Sequence, residues 1–266
     1  MKAKKSYGQH FLKEERIAER IANSLVLMDQ YQNILEVGPG RGMLTKYLMK
    51  HKACQLKVVE VDRDMIAYLS QNYPELRANI IAGSFLKVNL EYPFQGASFA
   101  LIGNFPYNIS SQIIFHILRH KELIPEIVGM FQREVAERIV AKANSKIYGI
   151  LSVLTQAYYE GTYLFTVKAG SFNPPPRVQS AVVRLVRKKN QNLGCDPKRF
   201  RTIVKVTFGM RRKMIRNSMK PFLPKELLSS VPFFTKRPEN LTLKDFVYLT
   251  NLVDEHLTRR KGQTKD

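Results

Sequence analysis

The strongest constraint on the fold is an alternation of short apolar runs with helical patterns along the first two thirds of the chain. Runs rich in β-branched residues and bounded by turn residues predict buried strands. Apolar residues spaced three and four apart predict helices between them. Alternation of this kind indicates an α/β fold, in which helices cover a mostly parallel sheet.

The predicted elements extend over most of the chain. We expect helices at residues 14–28, 43–50, 64–72, 109–120, 133–143 and 148–159. We expect strands at 33–37, 56–61, 79–82, 98–102 and 126–131, then an antiparallel pair at 162–168 and 179–187. After a polar stretch at 188–192, helices are predicted at 197–209, 211–220 and 243–257. The sequence therefore predicts an α/β domain at residues 1–188 and a small all-helical domain at 193–266.

A glycine-rich segment, Glu36 to Gly42, follows a predicted strand and opens a helix. Glycines there let a nucleotide-type cofactor approach the backbone, although a tight turn also requires glycine. A phosphate-binding loop would contain Gly-Lys-Ser/Thr, which is absent here, and a dinucleotide fold favours a third glycine one position later. S-adenosylmethionine carries a sulfonium cation and no phosphate, so it tolerates acidic residues such as Glu36.

Glu60, at the end of the next strand, follows Gly38 by 22 positions. A carboxylate at this place can accept hydrogen bonds from both hydroxyls of an adenosine ribose, and Asp62 could share this role. A nicotinamide dehydrogenase fits these features almost as well. The loop and the acid therefore predict a cofactor site without deciding its chemistry.

The segment Asn104-Phe105-Pro106-Tyr107 closes the fourth predicted strand, beside the expected cofactor edge. An aromatic amine such as adenine N6 is a poor nucleophile, because its lone pair is delocalised into the ring. The Asn104 oxygen can accept one amino hydrogen, and a main-chain carbonyl held by Pro106 can accept the other. Tyr107 offers a face on which a base can stack. Beside the glycine loop, this segment favours methyl transfer to an amine over an ordinary Asn-x-Pro turn.

The charge of the chain indicates a polyanionic partner. Lys and Arg number 43 against 22 acidic residues, a net charge of +21. From position 187 onward the chain has 20 basic and 7 acidic residues, so the excess concentrates in the predicted helical domain. General solubility and acidic lipid are alternatives, but clustered cations interleaved with aromatics favour nucleic acid.

Other classes of protein have little support in the sequence. No apolar run approaches the roughly 18 residues of a membrane-spanning helix, and no apolar signal core follows the basic start at residues 1–6. Cys54 and Cys195 are far apart and lack metal-ligand spacing. We therefore expect a cytoplasmic protein with no metal site and no membrane attachment, and nothing demands more than a monomer.

Several motifs in order resemble the ribosomal RNA adenine dimethyltransferase family, over nearly the whole chain, and most closely the members that modify the small subunit. They are Tyr7 to Leu12, Glu36 to Gly42, Asn104 to Tyr107, Phe172 to Val178, and Arg211 to Lys213 with Arg216 and Asn217. The resemblance implies a Rossmann-like domain that binds S-adenosylmethionine. It implies cofactor contacts from His10, Leu12, Gly38, Gly40, Glu60, Ser84 and Asn104.

The resemblance also implies how the target base is held. Asn104 would contact both cofactor and target amine, with Pro106 and Tyr107 beside it. Phe172 would close over the target adenine opposite Tyr107, although a core aromatic is the simpler interpretation of this residue. Two positions depart from the family: Ser84 replaces an aspartate that would receive the cofactor adenine's amine, and Phe105 replaces an aliphatic residue. The first change puts that contact in doubt, because serine accepts only an uncharged hydrogen bond.

The segment from Arg211 to Lys220 contains five cations and no acid. If it were one helix, side chains four positions apart would form a single cationic stripe, with methionines facing inward. We expect this set to contact ribosomal RNA phosphates, which position RNA without selecting its sequence. Its members are Arg211, Arg212, Lys213, Arg216 and Lys220.

The resemblance implies dimethylation of two adjacent adenosines in a 3′-terminal loop of 16S rRNA, within the small ribosomal subunit or its precursor, coupled to ribosome biogenesis. Three alternatives remain open from the residues. They are a ribosome-assembly binding factor whose pocket is secondary, a methylase of large-subunit rRNA, and, more distantly, a nicotinamide dehydrogenase.

Overall fold

The computed structural model describes residue 4 and residues 7–263 of the chain. The chain forms two compact units, and each is described separately. The first comprises Met1–Glu137 and Tyr159–Arg187, and the second comprises Arg138–Tyr158 and Lys188–Asp266.

The described residues of the first unit form nine strands, numbered in chain order. They are β1 (Phe11–Leu12), β2 (Asn33–Val37), β3 (Gln55–Glu60), β4 (Ile80–Ala82), β5 (Ala100–Asn104), β6 (Glu126–Gln132), β7 (Tyr159–Val167), β8 (Phe172–Asn173) and β9 (Ser180–Arg187). Seven form one sheet in the spatial order β4-β3-β2-β5-β6-β9-β7, and β1 pairs with β8 separately. Strands β4, β3, β2, β5 and β6 are parallel, whereas β9 is antiparallel to both neighbours.

The described part of the chain contains ten α-helices. They are α1 (Glu15–Ala22), α2 (Thr45–Leu48), α3 (Arg63–Asn72), α4 (Ser110–Arg119), α5 (Arg133–Val140), α6 (Ile150–Gln156), α7 (Pro197–Gly209), α8 (Ile215–Met219), α9 (Lys225–Ser230) and α10 (Leu243–Gln263). The central strands β2, β5 and β6 are buried almost throughout, as expected for a parallel sheet covered by helices. The predicted Rossmann-like α/β fold with a helical C-terminal region is confirmed.

Helix α1 ends at Ala22, although the apolar spacing predicts a helix to residue 28. The cause is Glu126, which is fully buried at the start of β6. Its carboxylate accepts hydrogen bonds from the main-chain N–H groups of Val26 and Leu27, both at 2.9 Å, and from the hydroxyl of Tyr31 at 2.8 Å. This tertiary contact holds the connection in a non-helical path.

The second unit differs from its predicted bounds. Residues 138–158, predicted within the α/β domain, group with the C-terminal helices. Tyr148, 2% exposed, packs edge-on against Phe208 of α7, with ring centroids 6.0 Å apart. The main-chain N–H of Lys188 donates to the carbonyl of Tyr158 at 2.9 Å. The predicted domain boundary at 188–193 is therefore wrong for residues 138–158, because the ring of Tyr148 packs in the core of the helical unit.

The predicted single helix at 211–220 is also wrong. Helix α7 ends at Gly209, and a turn closes with a bond from the Lys213 N–H to the Met210 carbonyl at 2.8 Å. Met214 is extended, with φ −62° and ψ 148°, so α8 starts only at Ile215. The cationic residues therefore lie on a turn and a short helix rather than on one helical stripe.

Candidate active site

The parallel strands bring their carboxyl ends to one edge of the sheet. Gly38 follows β2, Glu60 ends β3, Ser84 follows β4 and Asn104 ends β5. The order of strands reverses between β2 and β5, which is where ligands bind in open α/β sheets. A cavity of about 280 Å³ lies there, and all four residues line it.

Main-chain atoms of the glycine loop line one side of the cavity. Gly38 and Gly40 have φ values of +68° and +55°, in the left-handed region that favours glycine. A Cβ atom on Gly40 would also lie 3.1 Å from the ring of Phe11. The Gly38 N–H donates to the carbonyl of Val59 at 2.9 Å, which fixes the loop to the neighbouring strand.

Glu60 is only 5% exposed, and both of its oxygens accept main-chain hydrogen bonds. Oε2 accepts from Gly40 at 3.1 Å, and Oε1 accepts from Val61 and Asp62, both at 2.9 Å. Burial raises the pKa of Glu60, and these hydrogen bonds oppose that rise. The carboxylate is thus held in one position on the cavity wall.

Glu36 supplies a second buried acid, 1% exposed, whose Oε2 accepts a hydrogen bond from the Thr45 hydroxyl at 2.7 Å. Burial raises the pKa of Glu36 to about 8, and the charge of Glu60 acts in the same direction. A nearby cation would favour the ionised form, whereas a pyrophosphate would add like charge beside two acids. The cavity therefore fits a sulfonium cofactor better than a dinucleotide.

Asn104 is oriented by the N-terminal segment. Its amide Nδ2 donates to the main-chain carbonyl of His10 at 3.0 Å. Within the described part of the chain its Oδ1 accepts no hydrogen bond, so this oxygen remains an acceptor for a ligand amine. The imidazole of His10 stacks on the ring of Tyr107, and the Tyr107 hydroxyl is hydrogen-bonded to Ser180.

The carbonyl groups around Pro106 have different partners. The Pro106 oxygen accepts bonds from the Ser110 hydroxyl at 3.1 Å and the Ile109 N–H at 3.3 Å, so it belongs to the turn that starts α4. The Phe105 carbonyl, joined to the proline nitrogen, accepts no hydrogen bond from any described residue. Phe105 borders the cavity but is 0% exposed. Its carbonyl is the candidate second acceptor for an amine, and Pro106 fixes its plane.

The Phe105 ring does not crowd the cavity. It packs against β6, where Gly129 pairs with Gly103 of β5. A Cβ atom on Gly129 would lie 2.3 Å from the Phe105 ring and 2.6 Å from the Phe131 ring. The Phe105 ring, which replaces an aliphatic side chain of the family pattern, is thus accommodated by Gly129 on the neighbouring strand.

The N-terminal segment covers one side of the cavity, as the resemblance implies for His10 and Leu12, but the contacts that hold it there are not evident from the sequence. The Lys4 ammonium pairs with Asp62 at 2.6 Å and Asp64 at 2.7 Å, and the Gln9 amide donates to Asp62 at 2.8 Å. Farther along, Phe11 and the following leucine pair with β8. No periodic pattern marks so short a segment, and its partners lie more than 50 positions away.

Two predicted residues have other roles in the structure. Asp62, considered for the ribose, is 1% exposed; it binds Lys4 and Gln9 and accepts the Asp64 N–H at 3.1 Å at the start of α3. Phe172, predicted to close over the target adenine, is 1% exposed within the apolar core, where it pairs with Leu12 across the two-stranded sheet. Neither residue borders the cavity in this structure, and the closure of Phe172 over the target adenine stays a prediction.

The remaining predicted residues of this site all border one cavity. They are His10, Leu12, Gly38, Gly40, Glu60, Ser84, Asn104, Pro106 and Tyr107. No described helix is both long and apolar enough to cross a membrane. Within the described ranges no cluster of three or more His, Cys, Asp or Glu residues is arranged to hold a metal ion.

The sequence profile of the family described as ribosomal RNA adenine dimethylase matches residues 1–250. The chain belongs to that family. Ribosomal RNA small subunit methyltransferase A of Bacteroides fragilis is 54% identical over 97% of this chain and 94% of its own. The protein of that name from Flavobacterium johnsoniae is 50% identical over 96% of this chain and 97% of its own.

Solved structures agree with this membership. A dimethyladenosine transferase from Plasmodium falciparum superposes with a TM-score of 0.76 at 25% identity, covering 93% of this chain and 98% of its own. The 23S rRNA methyltransferase ErmE has the same fold, with a TM-score of 0.66 at 23% identity over 91% of this chain and 99% of its own. The chain is an S-adenosylmethionine-dependent methyltransferase of adenine in ribosomal RNA.

The predicted RNA-contacting cations divide into two groups. Arg212, Lys213, Arg216 and Lys220 are exposed and form no ion pair with any described residue. Arg211 is half-buried; it pairs with Glu239 at 2.9 Å and donates to the carbonyl of Lys146. Arg211 therefore has a structural role inside the helical unit, and the other four stay candidates for RNA contact.

Proposed function

We propose that the chain dimethylates N6 of two adjacent adenosines in a 3′-terminal loop of 16S rRNA, with the small ribosomal subunit or its precursor as substrate, and that this step is coupled to ribosome biogenesis. The position of Asn104 carries the proposal, because its oriented carboxamide lies in the same cavity as the glycine loop and Glu60. Relatives that match nearly the whole chain are named as small-subunit methyltransferases.

In the first transfer, the residues of the cavity would activate the target amine by holding both of its hydrogens, and in the second they would hold the one hydrogen that remains. When bound, S-adenosylmethionine supplies an activated methyl group. Asn104 Oδ1 would accept one amino hydrogen and the Phe105 carbonyl the other, which lets the nitrogen become pyramidal and directs its lone pair out of the ring. Stacking on Tyr107 would orient the base. A strong base is unnecessary, since the proton can leave after methyl transfer.

The direct test is incubation of the purified chain with labelled S-adenosylmethionine and small subunits that lack this modification. We expect label in N6,N6-dimethyladenosine of 16S rRNA. Asn104→Ala should lower kcat by at least about 100-fold, comparable to the loss of one preorganised hydrogen-bonding group. Asn72→Ala, on the exposed end of α3, serves as the matched control and should retain full activity. Absence of label in adenine would refute the proposal.

A second candidate function is supported by the exposed cations at Arg212, Lys213, Arg216 and Lys220: a subunit-binding factor for assembly, in which methylation is secondary. Asn104→Ala separates the two functions, because it should abolish methylation while leaving subunit binding intact. Full rescue of growth and assembly by this variant would make binding the main function. Failure of rescue would make methylation the main function.

A further inference from the structure

The stacking surface of Tyr107 is already covered by a side chain of the same protein. The imidazole of His10 lies on the Tyr107 ring, with centroids 5.3 Å apart and planes inclined by 26°. The His10 Nδ1 lies 2.9 Å from the carbonyl oxygen of Pro174. Both rings border the cavity. A base that stacks on the face of Tyr107 covered by His10 would therefore compete with the imidazole for one place.

We propose that His10 is a placeholder for the target base, which occupies the stacking position on Tyr107 until a base of the substrate RNA displaces it. This inference rests on the proposed function only in placing the base against Tyr107. It adds a residue that controls access to the base site and makes the imidazole a competitor of the substrate.

The contacts around His10 allow its side chain to leave without unfolding the N-terminal segment. Its main-chain carbonyl is held by Asn104 Nδ2 at 3.0 Å, and the next two residues pair with β8. A rotation about the side-chain torsions breaks one stack and one hydrogen bond and leaves these main-chain bonds intact. His10 is half-buried, so the displaced ring can turn toward solvent.

A placeholder of this kind sets a threshold for binding of the base. A purine offers a larger stacking surface than an imidazole, so a base presented by the correct RNA fold can displace it. A base that arrives without further contacts must overcome the same stack and hydrogen bond and gains less. The same cost of displacement falls on every substrate, so it raises the KM without changing the ratio of affinities between two substrates, and only RNA with further contacts offsets it.

The test compares the wild type with His10→Ala and His10→Gln, which both lack a ring, in methylation of unmodified small subunits. Since one stack and one hydrogen bond each contribute a few-fold, we expect the KM for subunits to fall by about three- to tenfold in both variants. Calorimetric titration with S-adenosylmethionine, run in parallel, shows whether either substitution acts through the cofactor, whose cavity His10 borders. His51→Ala is the matched histidine control and should match the wild type, because His51 precedes β3, at the end of that strand away from the cavity.

Each alternative result has a distinct meaning. An unchanged or higher KM for subunits in active His10 variants would overturn the placeholder while leaving the proposed function intact. A parallel loss of cofactor affinity and kcat would show that the imidazole contacts the cofactor, and would also overturn it. A wild type that transfers no methyl group to subunits would overturn both proposals together.

Discussion

At the scale of single residues, Ser84 is the position where the site departs most from the family it resembles. It lines the cavity just after Gly83, whose φ is +156°. We expect Ser84→Asp to lower the Kd for S-adenosylmethionine by about three- to tenfold, because a charged acceptor makes a stronger bond to the cofactor adenine's amine. Calorimetric titration measures this change.

The control for this prediction is Ser84→Asn, which has the size of aspartate without its charge. It should change the Kd by less than about twofold. Equal effects of aspartate and asparagine would show that size, and not charge, governs the contact at this position.

Glu36 predicts a pH dependence of stability. Because burial raises its pKa to about 8 from an ordinary value of 4.5, the folded chain retains a proton that the unfolded chain releases between these pH values. The free energy of unfolding therefore falls as pH rises through this window, by up to about 1.4 kcal/mol for each unit of the pKa rise. Glu36→Gln keeps an acceptor for Thr45 and cannot ionise.

The measurement is urea unfolding of the wild type and Glu36→Gln between pH 5 and pH 8, without cofactor. We expect the variant to lose less stability than the wild type over this range. An identical pH dependence in both proteins would contradict a raised pKa for Glu36.

At the scale of elements, the ends of β2, β3 and β5 were predictable, because glycine or polar residues follow each apolar run at the expected edge. The shortened α1 was not, since its cause is a carboxylate 100 positions away that binds Val26. The turn at 210–214 was missed because apolar spacing continues through it. Local periodicity cannot report such tertiary hydrogen bonds or an extended residue such as Met214.

The contact between β5 and β6 gives a prediction about packing. Gly129→Ala would place a methyl group against the Phe105 ring, and we expect it to destabilise the chain by about 1–3 kcal/mol. Phe105→Leu should relieve this overlap, so the double variant should be more stable than the sum of the two single changes implies. Urea denaturation of the four proteins measures the coupling.

The double variant should be more stable than the sum of the two single changes predicts by at least about 0.5 kcal/mol. Gly170→Ala is the control, because a Cβ atom there meets no other atom within 4 Å. Strict additivity of Gly129→Ala and Phe105→Leu would mean that the ring does not determine the requirement for glycine.

At the scale of the whole molecule, the exposed cations of the second unit should govern substrate binding through phosphate contacts. We expect Arg212→Glu combined with Arg216→Glu to weaken binding to small subunits by about tenfold or more, and to reduce the salt dependence by roughly one unit per lost contact. Lys244→Glu, also exposed, is the control for each change of charge. Filter binding across a range of salt concentrations measures both quantities.

Equal weakening per substituted charge by Lys244→Glu and by the double variant would show that net charge alone attracts RNA, and would remove the special role of Arg212 and Arg216. The division of the molecule was only partly predictable. The rise in charge after residue 186 indicated the helical unit correctly, but nothing local shows that residues 138–158 join it. That assignment depends on packing between Tyr148 and Phe208, which are distant in the chain.

The central claim is that the cavity around Asn104 forms N6,N6-dimethyladenosine in the small ribosomal subunit. Mass spectrometry of nucleosides from small-subunit rRNA tests it most directly, in cells that lack the gene and carry either the wild-type chain or Asn104→Ala. We expect dimethyladenosine only in cells with the wild-type chain. Equal amounts of dimethyladenosine with both chains, or none with either, would contradict the claim.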